Sequence, residues 1–269
     1  VCTMTKKLTY IIITTLLLNF GLSSCKDDDK PTPETDATSC LLTKITERTD
    51  YDTTITTFTY QIDGKISAIN NPWLDGDITV NYANGRISEM VTGLTQVIMK
   101  YETGISLPLR CTIIDGGDTA TEISFIPGKN GLSRLEYRYM DDKTSTLALE
   151  TEILLDYTST GAISKCTYSS LDENGMLTKD YEYTNITTDG KINPIALDPA
   201  IFIYYAINEE MLLLGSDNVL SASYSDFDTS NPDVREYDAT INYNELTYPT
   251  QISNSIFGHL TQAFEYSCR

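Results

Sequence analysis

The 269-residue chain has one histidine and one tryptophan. His259 follows Gly258, and nothing around it in sequence supplies the third group that must orient the imidazole of a Ser-His-Asp or Cys-His site. It reads as a loop residue. The His-Glu-x-x-His metal motif and the Gly-rich phosphate loops are missing. So is a Cys-x-x-Cys pair, which removes the usual zinc spacing. No pattern calls for a cofactor. Basic residues are scarce, 19 Lys and Arg against 38 Asp and Glu, for a net charge of −19. A surface of that sign repels nucleic acid and anionic membrane, and most of the charge reads as a solubilising coat. After residue 24 no apolar run approaches the ~20 residues of a membrane-spanning helix.

The apolar run that does exist is short and near the beginning. Met4 reads as the start, Lys6 and Lys7 as a basic opening, and Tyr10–Leu18 as the apolar core of a secretory signal. Leu22-Ser23-Ser24-Cys25 follows and resembles the lipobox of bacterial lipoproteins. That resemblance implies cleavage before Cys25 and acylation of its thiol, each buried methylene contributing ~0.8 kcal/mol to membrane attachment. Ordinary signal cleavage is the alternative. Lys26-Asp27-Asp28-Asp29-Lys30, with Pro31 and Pro33 behind it, reads as an extended tether. It looks like the acidic export tag of Bacteroidales-type lipoproteins, which implies display on the outside of the outer membrane. A plain linker on a periplasm-facing protein is the alternative. The expected organisation is therefore a signal over 1–24, a tether over 25–39 and a single β-rich domain over 40–269.

Six cysteines are present. Cys2 precedes the expected start and Cys25 takes the lipid. The remaining four, Cys40, Cys111, Cys166 and Cys268, are an even set in an oxidising compartment, which allows two disulfides in three connectivities. We expect Cys40–Cys268, joining the opening of the domain to its last strand, and Cys111–Cys166, joining two strand-like segments. Buried thiols are the alternative for the second pair.

From Ser39 onward the chain reads as short alternating strands rich in Thr, Ile and Tyr. Thr54–Tyr60, Asp63-Gly64 and Lys65–Ile69 form strand, turn and strand. The unit recurs at Val80-Asn81-Tyr82-Ala83-Asn84-Gly85-Arg86-Ile87, at Lys100–Ile105, at Tyr157–Ile163, at Tyr168–Leu177 and at Tyr181–Ile192. In each, a tyrosine precedes the turn and an aliphatic residue opens the return strand on the same face. Stacked hairpins bury together a stripe that none can bury alone. The pattern resembles the tyrosine-rich YD/Rhs-type repeats, and more closely the repeat-bearing lipoproteins of unknown function common in Bacteroidales, over about residues 40–268. The expected fold is mainly all-β, a curved antiparallel sheet of stacked β-hairpins. One segment departs from it. Asp198 as N-cap, Pro199 at the first helical position and Gly215 past the end predict one buried helix near residues 199–214.

Carboxylates are abundant, so the pairs Asp75 with Asp77 and Asp115 with Asp118 are candidates for two-acid glycan hydrolysis, although both pairs read as turn residues. Asp172-Glu173-Asn174-Gly175 lacks the spaced ligands of a calcium loop and reads as a turn. Trp73, among Asn70, Asn71, Asp75 and Asp77, has the composition of a sugar-stacking loop; burial against a sheet edge is its ordinary alternative. Asp52-Thr53-Thr54 and Asp118-Thr119-Ala120 resemble the O-glycosylation sequons of Bacteroidales secreted proteins. The expected function is a non-enzymatic surface lipoprotein that binds a glycan or a surface protein, or serves structurally. The alternative is a carboxylate-dependent glycan hydrolase. The membrane is a partner only through the lipid anchor.

Overall fold

The computed structural model describes residues 40–72, 76–103, 107–129, 131–141, 144–208, 215–227, 233–255 and 260–268. Cys25, Trp73, Asp75 and His259 lie outside the described residues. Among those described, sixteen strands form a closed antiparallel barrel in which every strand pairs with its neighbours in sequence. They are β1 (Cys40–Arg48), β2 (Thr53–Tyr60), β3 (Ile66–Asn70), β4 (Ile78–Ala83), β5 (Arg86–Thr92) and β6 (Thr95–Lys100). Then follow β7 (Arg110–Asp115), β8 (Asp118–Pro127), β9 (Leu132–Asp141), β10 (Thr146–Tyr157) and β11 (Ile163–Leu171). The last are β12 (Leu177–Ile192), β13 (Asp217–Asp226), β14 (Val234–Tyr243), β15 (Pro249–Asn254) and β16 (Thr261–Cys268).

The expected open, curved sheet is corrected by one pairing. β1 and β16 run antiparallel in register from Cys40↔Cys268 to Arg48↔Thr261, which closes the ring. Closure removes both edge strands, whose unpaired N–H and C=O groups would otherwise recruit another chain. The Cys40–Cys268 disulfide staples this seam, with the two Cα atoms 4.0 Å apart. The Cys111–Cys166 bridge is not made: both residues are buried thiols. They sit on β7 and β11, with three strands between them. At ~4.8 Å per strand, that separation far exceeds the ~7 Å Cα limit of a disulfide.

The hairpin units turning at Asp63-Gly64, Asn84-Gly85, Gly161 and Asn174-Gly175 form as read from the sequence, while the turn expected at Gly104 lies outside the described residues. Asn84 and Gly85 both have positive φ, 51° and 77°, which is the two-residue turn that matches strand twist. The unit expected to turn at Asp189-Gly190 does not turn. β12 continues to Ile192, and Gly190, at φ +67°, accommodates an irregular register against β13.

Inward-facing residues alternate with outward-facing ones, and all sixteen strands contribute to one buried apolar cluster. Between β12 and β13 the chain enters this interior. After a 3-10 turn at Pro194–Leu197, helix α1 (Pro199–Ile207) buries Ala200, Ile201, Phe202, Ile203, Tyr205 and Ala206. The helix is shorter than expected, and 209–214 lie outside the described residues. Its start sits at the rim that carries Cys40 and Cys268, here the terminal rim. Farther along, the Tyr204 hydroxyl meets the Asn71 amide from the β3–β4 connection at the distal rim, 3.0 Å away. The hydroxyl of Tyr137 donates to the Ala206 carbonyl at 2.6 Å. Sixteen strands enclose more space than their own side chains fill, and α1 supplies part of the missing volume.

Candidate binding site

Tyrosines and cations repeat around the terminal rim. The Tyr60 hydroxyl, at the end of β2, donates to the Leu42 carbonyl on β1 at 2.6 Å. Tyr82, near the end of β4, donates to Ile66 on β3 at 3.0 Å. Tyr266 on β16 donates to Pro249 on β15 at 2.8 Å. Each hydroxyl ties its strand back to the start of the preceding one, so its polar end is satisfied while the ring packs on the core. Burial pushes the Tyr60 and Tyr82 hydroxyls above the ordinary tyrosine range, and pushes Tyr101 up to about 12.

Gly64-Lys65-Ile66, Gly85-Arg86-Ile87 and Gly190-Lys191-Ile192 share a second pattern. The cation after each glycine lies over a tyrosine of a neighbouring unit: Lys65 over Tyr82 at 5.6 Å, Arg86 over Tyr101 at 5.3 Å, and Lys191 over Tyr243 at 3.4 Å. Such cation–π contacts hold the charged group in place without neutralising it.

Two of these pairs frame a cavity of about 400 Å3. Lys65, Tyr82, Arg86 and Tyr101 from the strand ends and turns line it together with Asp198 and Pro199 at the start of α1. Lys65 also pairs with Asp63 at 2.5 Å, and Arg86 donates to the Glu102 carbonyl at 3.3 Å. The Asp198 carboxylate accepts from the Ala200 N–H at 2.7 Å and so caps α1. Burial raises its pKa, while the backbone bonds from Ala200 and Ile201 act the other way. The cavity thus combines two cations on aromatic supports with one half-buried carboxyl, a set able to hold a small polar ligand of mixed character.

The described residues among those singled out from sequence lie elsewhere. Asp77 is at the distal rim, where it accepts from the Asn70 amide. Asp115 and Asp118 face each other across the β7–β8 turn, and Thr95 donates to Asp115 at 3.1 Å. Asp172 accepts from the N–H groups of Asn174 and Met176, the geometry of a turn, and these bonds hold its carboxyl below the usual range. No cluster of three or more metal-ligating side chains occurs among the described residues. Two described carboxyls have raised pKa values, Asp198 and Glu47, both chiefly through burial. They do not make a pair. Glu47 lies toward the distal rim and accepts from the Gln262 amide at 2.7 Å, whereas Asp198 lies at the terminal rim. The repeated Gly-cation-Ile triplet is the sequence signal for Lys65 and Arg86, whereas Asp198 shows in the sequence only as a helix cap.

The outer wall carries ion pairs. Arg110 pairs with Glu122 at 2.9 Å, Arg138 pairs with Glu136, and Arg134 bridges Glu136 at 3.3 Å and Glu152 at 3.2 Å. Farther round, Glu182 meets Lys165 at 3.0 Å and Lys179 at 2.9 Å.

No family model and no curated protein matches the sequence. Solved structures do. The chain is similar to a porin-like protein from Bacteroides vulgatus, with a TM-score of 0.60 at 13% identity, covering 85% of this chain and 99% of that one. A porin-like protein from Bacteroides uniformis aligns with a TM-score of 0.54 at 13% identity, covering 83% and 96%. At that identity the likeness is one of fold.

Proposed function

We propose that the protein is a lipid-anchored barrel that does not conduct, and that it serves at the outer membrane as a binding or structural module with a carbohydrate as its ligand. One observation carries this reading: the barrel is apolar inside and charged outside. A membrane-spanning barrel has the opposite arrangement, an apolar band about 25 Å tall facing lipid and a polar lumen. Lys or Arg at the bilayer midplane of such a barrel costs about 2–4 kcal/mol each. Here Arg134, Arg138 and Lys165 occupy the outer wall with their acidic partners, while Ile45, Ile123, Leu135 and Ile153 are fully buried within. A water-facing exterior leaves attachment to Cys25 and its acyl chains. The porin-like relatives share the fold and fit an outer-membrane setting. The cavity at the terminal rim, with its aromatic walls, supports the ligand class.

In planar bilayers the purified protein is expected to give no channel currents; steady conductance steps would overturn the reading. Radiolabelled palmitate is expected to enter the wild-type protein and not Cys25→Ala, which should leave the membrane fraction. A glycan array probes the ligand class, and silence across all glycans would remove carbohydrate from the proposal.

A further inference from the structure

We propose that the cavity at the terminal rim binds a short saccharide bearing a uronic acid, with its carboxylate held between Arg86 and Lys65 and its hydroxyls turned toward Asp198. This rests on the binding-module reading above and assigns that module its site and ligand charge.

Several observations converge on it. The molecule is strongly acidic, yet this mouth presents two cations from successive hairpins, Arg86 at the start of β5 and Lys65 from the turn before β3, the latter shared with Asp63. Each is supported by a tyrosine ring, so less side-chain freedom remains to be lost when a ligand arrives. The guanidinium can take a carboxylate through two parallel bonds. Asp198 also lines the cavity; its ionised carboxylate accepts hydrogen bonds from hydroxyls and repels a second negative charge. A polyphosphate or a heavily sulfated chain would meet that carboxylate and the acidic surface around it. A divalent cation would meet Lys65 and Arg86. A single carboxylate on a hydroxyl-rich body satisfies both the cations and Asp198. About 400 Å3 sits near the lower end of the ~300–1,000 Å3 typical of small-molecule sites, which limits the ligand to a short saccharide.

The test is calorimetric titration of the full chain, in detergent, with a disaccharide that carries one galacturonic acid and one neutral sugar, and with the methyl ester of that disaccharide. The ester keeps the shape and removes the charge. The acid is expected to bind at least about tenfold more tightly than the ester, the usual scale for losing a charge-assisted hydrogen bond. Arg86→Gln and Lys65→Gln should each weaken the acid by about tenfold while leaving the ester unchanged. Lys65 is half-buried at the turn and paired with Asp63, so circular dichroism checks both variants. Equal binding of acid and ester, or undiminished binding by both variants, overturns the assignment. An array separates the two levels. If Arg86→Gln keeps the whole wild-type glycan response, the binding module stands and this cavity is not its site. If the wild type binds no glycan at all, the carbohydrate reading itself falls.

Discussion

Asp198 is at once the N-cap of α1, a wall of the cavity and a carboxyl shifted by burial. Because its pKa is raised in the folded protein, folding holds that proton more tightly than the unfolded chain does. The resulting stability is present in full below the unfolded value of ~3.9 and is lost as pH rises through the folded value. Asp198→Asn keeps the capping oxygen and abolishes the titration. The melting temperature of the variant relative to wild type is therefore expected to rise as pH goes from about 3.5 to 7; a difference that stays flat with pH would contradict the assignment. Tyr60 makes a simpler case. Tyr60→Phe loses the bond to Leu42 and should cost about 1–2 kcal/mol, read as a lower urea midpoint at constant slope. Tyr51→Phe, at a side chain 97% exposed, should change nothing.

Among the elements, α1 distinguishes a packed interior from a channel. Ala206 is fully buried, and its carbonyl is held by Tyr137. Ala206→Leu is expected to destabilise by about 1–3 kcal/mol through overpacking, measured by denaturant unfolding. In a water-filled lumen the larger side chain would be tolerated. Ile203→Ala, at another fully buried position, should cost about 2–5 kcal/mol. The elements were also what the sequence displayed most clearly. The strands expected at Thr54–Tyr60 and Lys65–Ile69 correspond to β2 and β3, because period-2 alternation and turn residues are local signals. The Asp198-Pro199 start of α1 was legible for the same reason. Asp189-Gly190 misled, since a glycine with positive φ serves a bulge as well as a turn. The cavity was not legible: Lys65 and Arg86 stand on successive hairpins, but Asp198 is far from both in sequence and joins them only because α1 enters the barrel. Closure itself leaves no local trace, because a strand of an open sheet and a strand of a barrel alternate identically.

For the whole molecule, the disulfide is the one covalent link across that closure. It joins residues 228 apart, and in the chain-entropy model so long a loop contributes at most about 5 kcal/mol. Cys40→Ser with Cys268→Ser should lower the unfolding free energy by an amount up to that limit, with the β-rich dichroism spectrum retained. Loss of no stability would mean the β1–β16 pairing suffices alone. The bond also decides how the molecule takes a mechanical load. Cys40 is where the leading segment of the chain joins the barrel, so any drag transmitted through that segment arrives at this one residue. Without the bond, such a pull would peel the first strand from the last one rung at a time. With it, the tension passes directly into the final strand, and the body must be dragged along as a unit rather than unravelled from its first residue.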